Sequence, residues 1–262
     1  MNKPIALITK VKTISICALL ALKPVYAVAD NPSETETRLE QQIHSARPQG
    51  LNLQQLVAED YVYAAQIGPL KAGFLDISLW ASALNFEILG RFESSVALSR
   101  FYTWNGTFAS AGRWGAAAPE TDGYFVKSES SDDRLKLVVM GKHDVRRLKG
   151  RERSFETLAR PEGADLVSAL FFTPGCYQGD LVNDGEDTFR ISLLSQSQES
   201  IRQRSGLYSG PTLRCEYRVR DRKGRKRRVV IQMAELDGRA VAVRVRVKVA
   251  LIPDPMLRLI IG

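Results

Sequence analysis

The sequence predicts a mainly β protein: a curved antiparallel sheet or incomplete β-barrel of about 10–12 strands, with one or two covering helices. Three observations carry this. Near the C-terminus, Val241, Val243, Val245, Val247 and Val249 alternate with Ala242, Arg244, Arg246, Lys248 and Ala250. Period two puts the valines on one face of a strand and the cations on the other, whereas a helix would scatter the valines around its whole circumference. Similar short runs recur between turn residues from Glu59 onward. Nowhere do strands alternate with long helical patterns, which argues against a parallel α/β fold. A sheet of this length cannot stay flat, because strands twist.

Taken in order, Asn31–Arg47 reads as a short polar helix or loose tail, with Ser33 and Glu36 at capping-box spacing and Pro48 to Gly50 ending it. Tyr61, Tyr63, Ala65 and Ile67 alternate, Gly68-Pro69 turns, and Gly73–Trp80 runs extended, which makes a hairpin. Leu84–Phe92 is a third strand. Ser95–Tyr102 is a short helix with Val96, Leu98 and Phe101 apolar, and Trp104–Trp114 alternates again. Pro119–Gly123 reads as a turn. Tyr124–Glu129 and Arg134–Val139 are strands about the Ser130–Asp133 turn, and Lys142–Arg153 is a charged strand edge and loop.

Asp165–Phe172 is the helix with the best pattern. Asp165 stands where a cap belongs, and Leu166, Val167, Leu170 and Phe171 form an apolar stripe before Thr173-Pro-Gly175 stops it. Cys176–Val182 and Asp187–Leu194 form a hairpin about Asn183-Asp184-Gly185-Glu186. Leu213–Val219, Arg228–Met233 and Ala240–Ile252 close the sheet as a meander.

The first 29 residues read as a signal peptide. Lys3, Lys10 and Lys12 precede an apolar core at Ile14–Leu22, and Ala27-Val28-Ala29 supplies the small-x-small cleavage pattern. Cleavage after Ala29 is expected, with Ala27 as the neighbouring alternative. Cys17 lacks a lipidation context, and no later stretch is long and apolar enough to span a membrane. Residues 30–57 then form the N-terminal segment and 58–262 a single β-rich domain. The formal net charge of +8 falls to +4 once Lys3, Lys10, Lys12 and Lys23 leave with the signal, since no acid precedes Asp30. A modest cationic excess suits anionic surfaces. Cys176 and Cys215 remain, and two cysteines in an exported chain most simply form a disulfide. The alternative is a redox or metal pair, for which the spacing is wrong.

Several of these features stand in a recognisable order: the Tyr61/Tyr63 strand, the Gly68 turn, a second strand at Gly73, and a stretch ending in Pro119 and Tyr124. Then come Asp165-Leu-Val-Ser168-Ala169-Leu170, Cys176, Asp184-Gly185 with Phe189-Arg190, Cys215, and the alternating final strand. This order resembles the bacterial exported family catalogued as domain of unknown function (DUF) 3108, over roughly residues 58–252. Here the Asp-Gly turn continues as Glu186-Asp187, where that family commonly has a basic residue. The resemblance implies an architecture similar to the incomplete β-barrel of periplasmic lipoprotein carriers of the LolA/LolB kind. Such a likeness speaks to fold and not to function.

Catalytic patterns are scarce. There is no nucleophile elbow, P-loop or dinucleotide fingerprint, and no metal-ligand spacing. His44 and His143 lie in polar or cationic surroundings and read as solvated surface. The acids at Asp132/Asp133 and at Asp184/Glu186/Asp187 fall in turns, where Asp and Gly belong for backbone reasons. Asp165 and Ser168 read as a helix cap, and Asp184-Gly185 as a turn, all four structural. No enzyme activity, cofactor or metal is expected.

The strongest charge feature is basic. Arg218, Arg220, Arg222, Lys223, Arg225, Lys226, Arg227 and Arg228 crowd one hairpin, and Arg244, Arg246 and Lys248 share a face of the valine strand. Two readings follow for a non-enzymatic periplasmic protein. In the first, the concave face of the sheet holds a lipid or other hydrophobic ligand. In the second, the basic residues dock a cell-envelope protein on an anionic membrane surface or a partner protein. Nucleic acid is disfavoured by the compartment.

Overall fold

A computed structural model describes residues 58–99, 102–116, 118–131, 135–149, 155–250 and 253–261. The signal segment, the 30–57 segment and the Asp132/Asp133 pair lie outside the described residues. Fifteen strands form one large, curved, open sheet in the order β8-β7-β6-β5-β4-β3-β2-β1-β15-β14-β13-β12-β11-β10-β9.

Local hairpins build the first half: β1 (Ala58–Ile67), β2 (Leu70–Ala81), β3 (Asn85–Ser94), β4 (Trp104–Trp114), β5 (Pro119–Ser130), β6 (Lys136–Met140), β7 (Asp144–Lys149) and β8 (Glu156–Ala159). Helix α1 (Val96–Ser99) bridges β3 and β4. The chain then crosses to the opposite edge. There β9 (Ala164–Asp165) runs parallel to β10 (Leu181–Asn183), with α2 (Leu166–Phe171) between them. It returns through β11 (Thr188–Ile201), β12 (Gly210–Arg220), β13 (Lys226–Leu236) and β14 (Arg239–Lys248). Finally β15 (Pro255–Leu259) slots between β14 and β1. The first and last described strands therefore meet in mid-sheet.

The sheet curves around α2. That helix touches both β5 and β14, strands well separated in the order, and β9 touches β5. The face against α2 is thus the concave one, and it is packed with side chains. Tyr63, Leu79, Phe86, Ile88, Val219, Ile231 and Val245 are all buried there. Phe171 of α2 meets Tyr63 edge-on at 5.5 Å, and Phe172 meets Tyr61 at 5.6 Å. Removing this apolar area from water is the main stabilising term. Among the described residues, no helix is long and apolar enough to cross a membrane.

Several expectations are corrected. Pro119–Gly123 is not a turn but the start of β5, and the reversal falls just upstream, after Trp114. Proline is tolerated there because it opens the strand. Cys176 lies in irregular chain, and only Leu181–Asn183 of the segment pairs. The valine strand stops at Lys248 instead of running to Ile252, because Asp254 Oδ1 takes the Val249 N–H at 3.1 Å and the chain turns. Its alternation is also broken. Met233 pairs with Ala242 and Gln232 with Arg244, so Val243 is an extra, bulged residue and Val241, Ala242 and Val243 are all buried. The strand count exceeds the expected range through short elements such as β8, β9 and β15, which carry little periodic signal.

Candidate anion-binding face

Residues opposite one another on neighbouring strands share a face, so the register sorts the cations directly. Val245 lies opposite Ile231 and Leu257, and Ile231 opposite Cys215: this is the concave row. One residue along, the side chains face outward. There Arg190 stands opposite Arg220 and Arg220 opposite Lys226. Arg218 stands opposite Arg228, and Arg228 opposite Lys248. Gln232 stands opposite Arg244, and Arg244 opposite Arg258. Like charges directly opposite are destabilising by roughly 0.2–1 kcal/mol each. This fold holds three such rows on the convex side of β11–β15.

One buried carboxylate relieves part of the repulsion. Glu216, 8% exposed, accepts from Arg214, from Arg228 at 3.3 Å and from Lys248 at 3.4 Å. The hydrogen bond from Arg214, with Lys248 behind it and against the cost of burial, holds the Glu216 carboxyl below the ordinary glutamate range. Glu199 reaches Arg214 at 3.5 Å and accepts from Gln232 at 3.2 Å. No carboxylate comes within ion-pair distance of Arg204, Arg244, Arg246 or Arg258 among the described residues. Burial, and then Arg258, Arg246 and Arg204, lower the Arg244 pKa; burial, Arg204 and Arg246 lower that of Arg258.

The predicted basic hairpin divides. Arg222 and Lys223 are exposed at its tip, Lys226 faces outward opposite Arg220, and Arg228 pairs with Glu216. Arg225 is held by Asp221, whose Oδ1 accepts the Arg225 N–H at 2.9 Å, so it builds the turn. Arg227 lies opposite Val219, on the concave side, with its Nε buried and unpartnered. Arg244, Arg246 and Lys248 do share the outer face, and the Arg246 Nε is also buried without a partner. Sequence reading missed Arg190, Arg204, Arg214 and Arg258. Arg190, Arg214 and Arg258 join the face only through strand register, the alternation of Leu257 and Leu259 with Met256 and Arg258 being too short to mark a strand by itself.

The structural motif residues sit elsewhere. Asp165 is fully buried and caps α2, its Oδ1 accepting from the Val167 and Ser168 N–H groups at 3.0 Å each. Asp184 Oδ1 accepts from the Glu186 and Asp187 N–H groups at 3.1 and 2.8 Å, which makes the expected turn. Gly185 needs its positive φ of 85°, and a Cβ there would come 2.3 Å from the Tyr124 ring. His143 is exposed on the β6–β7 turn. Among the described residues, no group of His, Cys, Asp or Glu is arranged to hold a metal. Cys176 and Cys215 form a disulfide, Cα–Cα 5.5 Å, which marks an oxidising, exported environment.

The Asp184 turn also clasps the far side of the sheet. Glu186 pairs with Lys136 of β6 at 2.6 Å and with Arg147 of β7. Burial opposes ionisation, but Lys136 and Arg147 outweigh it and hold the Glu186 carboxyl below its usual range. A depressed carboxylate pKa adds stability above the unfolded value and loses it as pH falls through the folded one. Burial raises Asp184, which works in the opposite sense and offsets part of this. Glu186→Gln is therefore expected to cost about 2 kcal/mol at pH 7. The gap from the wild type should narrow from about pH 4.5 downward. Denaturant unfolding at several pH values measures both effects, and a gap independent of pH would exclude the ionic account.

The sequence matches no protein-family model, no curated protein and no solved structure, so the functional reading rests on the rows of cations that the register assembles.

Proposed function

We propose that this is a non-enzymatic periplasmic protein, exported by its N-terminal signal, that docks on an anionic membrane surface through the convex face of β11–β15. The observation that carries this is the set of like-charged rows, Arg190/Arg220/Lys226, Arg218/Arg228/Lys248 and Arg244/Arg258. Such opposition costs folding energy and is repaid when an anionic surface covers it. The disulfide supports the exported compartment. The packing of α2 and aromatic rings into the concave face favours docking over carriage of a hydrophobic ligand there.

The test is co-sedimentation with phosphatidylglycerol/phosphatidylethanolamine vesicles. Binding is expected to weaken steeply with salt, because exposed charges are screened within about 10 Å at 0.1 M. The triple variant Arg190→Gln/Arg220→Gln/Lys226→Gln, in an exposed row that Glu216 does not reach, should bind roughly 100-fold more weakly, at about 1 kcal/mol per cation. Binding unaffected by salt or by the triple substitution would overturn the reading, as would equal binding to purely zwitterionic vesicles.

A further inference from the structure

At one end of the basic face the segment after β11 folds back onto β15. Leu207 bridges both Arg204 and Ile260. The Tyr208 N–H donates to Leu259 O at 3.0 Å, and the Ile261 N–H to Gly206 O at 3.2 Å. Backbone hydrogen bonds thus pin the segment carrying Arg202 and Arg204 against the strand carrying Arg258, and Arg258 stands directly opposite Arg244. Between them opens a shallow notch, lined by these four arginines and by Val243 and Leu259.

This notch differs from the rest of the face in that no carboxylate reaches it at ion-pair distance among the described residues, Glu199 acting on Arg244 only from farther away. Glu216 serves Arg214, Arg228 and Lys248, while Glu199 reaches Arg214 and Gln232. The notch arginines have no carboxylate at ion-pair distance among the described residues. Guanidinium forks held around one concavity suit a tetrahedral anion that can accept paired hydrogen bonds from more than one of them. A phosphate monoester offers three terminal oxygens and nearly two negative charges at pH 7. A phosphodiester offers two free oxygens and one charge. The notch is open and shallow, so it fits a headgroup and not an acyl chain.

We propose that the notch formed by Arg202, Arg204, Arg244 and Arg258 binds a phosphate monoester group, presented either by a soluble compound such as glycerol 3-phosphate or by a lipid such as phosphatidic acid. The lipid source rests on the docking reading above; the soluble one does not.

Two arms test this on the purified protein. In the first, glycerol 3-phosphate is titrated by calorimetry against sodium chloride of matched ionic strength. Saturable binding is expected, weakened roughly 30-fold in Arg204→Gln/Arg258→Gln through loss of charged hydrogen bonds. Thermal unfolding of that variant in plain buffer should be unchanged or higher, since removing Arg258 relieves its opposition to Arg244; a lower midpoint would point to a structural role and overturn the proposal. In the second, vesicles of phosphatidic acid and of phosphatidylglycerol are compared at equal surface charge. A preference of about tenfold for phosphatidic acid, lost in the same variant, assigns the lipid source. Saturable glycerol 3-phosphate binding without that preference assigns the soluble one. Absence of both saturable binding and the preference overturns the notch, while salt-sensitive binding to both vesicle types would leave the docking reading standing. Failure to bind either vesicle refutes docking and leaves the notch to be judged by the calorimetric arm.

Discussion

Asp165→Ala is expected to destabilise the protein by about 3–5 kcal/mol, far more than loss of a helix cap alone, which costs about 1 kcal/mol. The carboxyl group is fully buried and accepts five hydrogen bonds. Oδ1 takes the two N–H groups that open α2. Oδ2 takes the hydroxyls of Ser110 on β4 and Thr121 on β5, each at 2.8 Å, and that of Ser168. The Asp165 N–H in turn donates to Thr121 Oγ1 at 3.1 Å. One side chain thus ties the edge strand β9 and the helix to the middle of the opposite half of the sheet.

Alanine would strand these donors away from water, at about 1–3 kcal/mol for each that finds no new partner. Asp165→Asn should be milder, about 1–2 kcal/mol, because one oxygen remains and the hydroxyls can rotate to accept from the new amide. Denaturant unfolding measures both variants. A loss of only about 1 kcal/mol for alanine would mean that the bridge to β4 and β5 contributes nothing net and only the cap matters.

Removing the disulfide, as Cys176→Ala/Cys215→Ala, is expected to cost about 4 kcal/mol in the chain-entropy account, the closed loop being 39 residues in sequence separation. Cys215 sits on the concave face beside Ile231, and Cys176 follows the end of α2. The bond therefore staples the irregular 172–180 segment to the centre of β12. Without it that segment keeps the Thr173 hydroxyl on Ser168 O at 3.3 Å, the Tyr177 hydroxyl on Leu181 O at 2.9 Å and the Ile191 N–H on Asp180 O at 2.8 Å. Unfolding of the wild type with and without reductant, compared with the double variant, gives the value. If reductant lowers the wild type to the level of the variant and leaves the variant unchanged, the loss belongs to the bond. A negligible loss would mean that the denatured chain is already compact across this loop.

Much of the fold is legible where the pattern is local and long. The β1–β2 hairpin about Gly68-Pro69, the alternation of Trp104–Trp114 and the Asp165 cap are all written in neighbouring residues, because period and capping are properties of a few consecutive positions. Pro119–Gly123 misleads for the same reason: its Pro and Gly are turn residues by composition, yet Thr121 is drawn into a strand by pairing with Gly112 and by its hydrogen bonds with Asp165. β15 is five residues long and opens with a proline, too little for period two to stand out, although it joins the two halves of the sheet.

The basic face divides in the same way. Alternation alone puts Arg244, Arg246 and Lys248 on one side of one strand. It cannot say that Arg258 lies opposite Arg244, that Arg227 faces inward, or that Glu216 neutralises one row and leaves another bare. By itself, the sequence determined a curved antiparallel sheet with a capped helix and a pair of cysteines suited to bonding, since these follow from side-chain period, turn chemistry and the redox preference of exported thiols. Only the tertiary structure decided which charges are neighbours, which one carboxylate locks the edge to the centre, and where an unneutralised notch opens. Those are questions of strand register and sheet curvature, which bring together residues tens of positions apart and leave no trace in any short window of the chain.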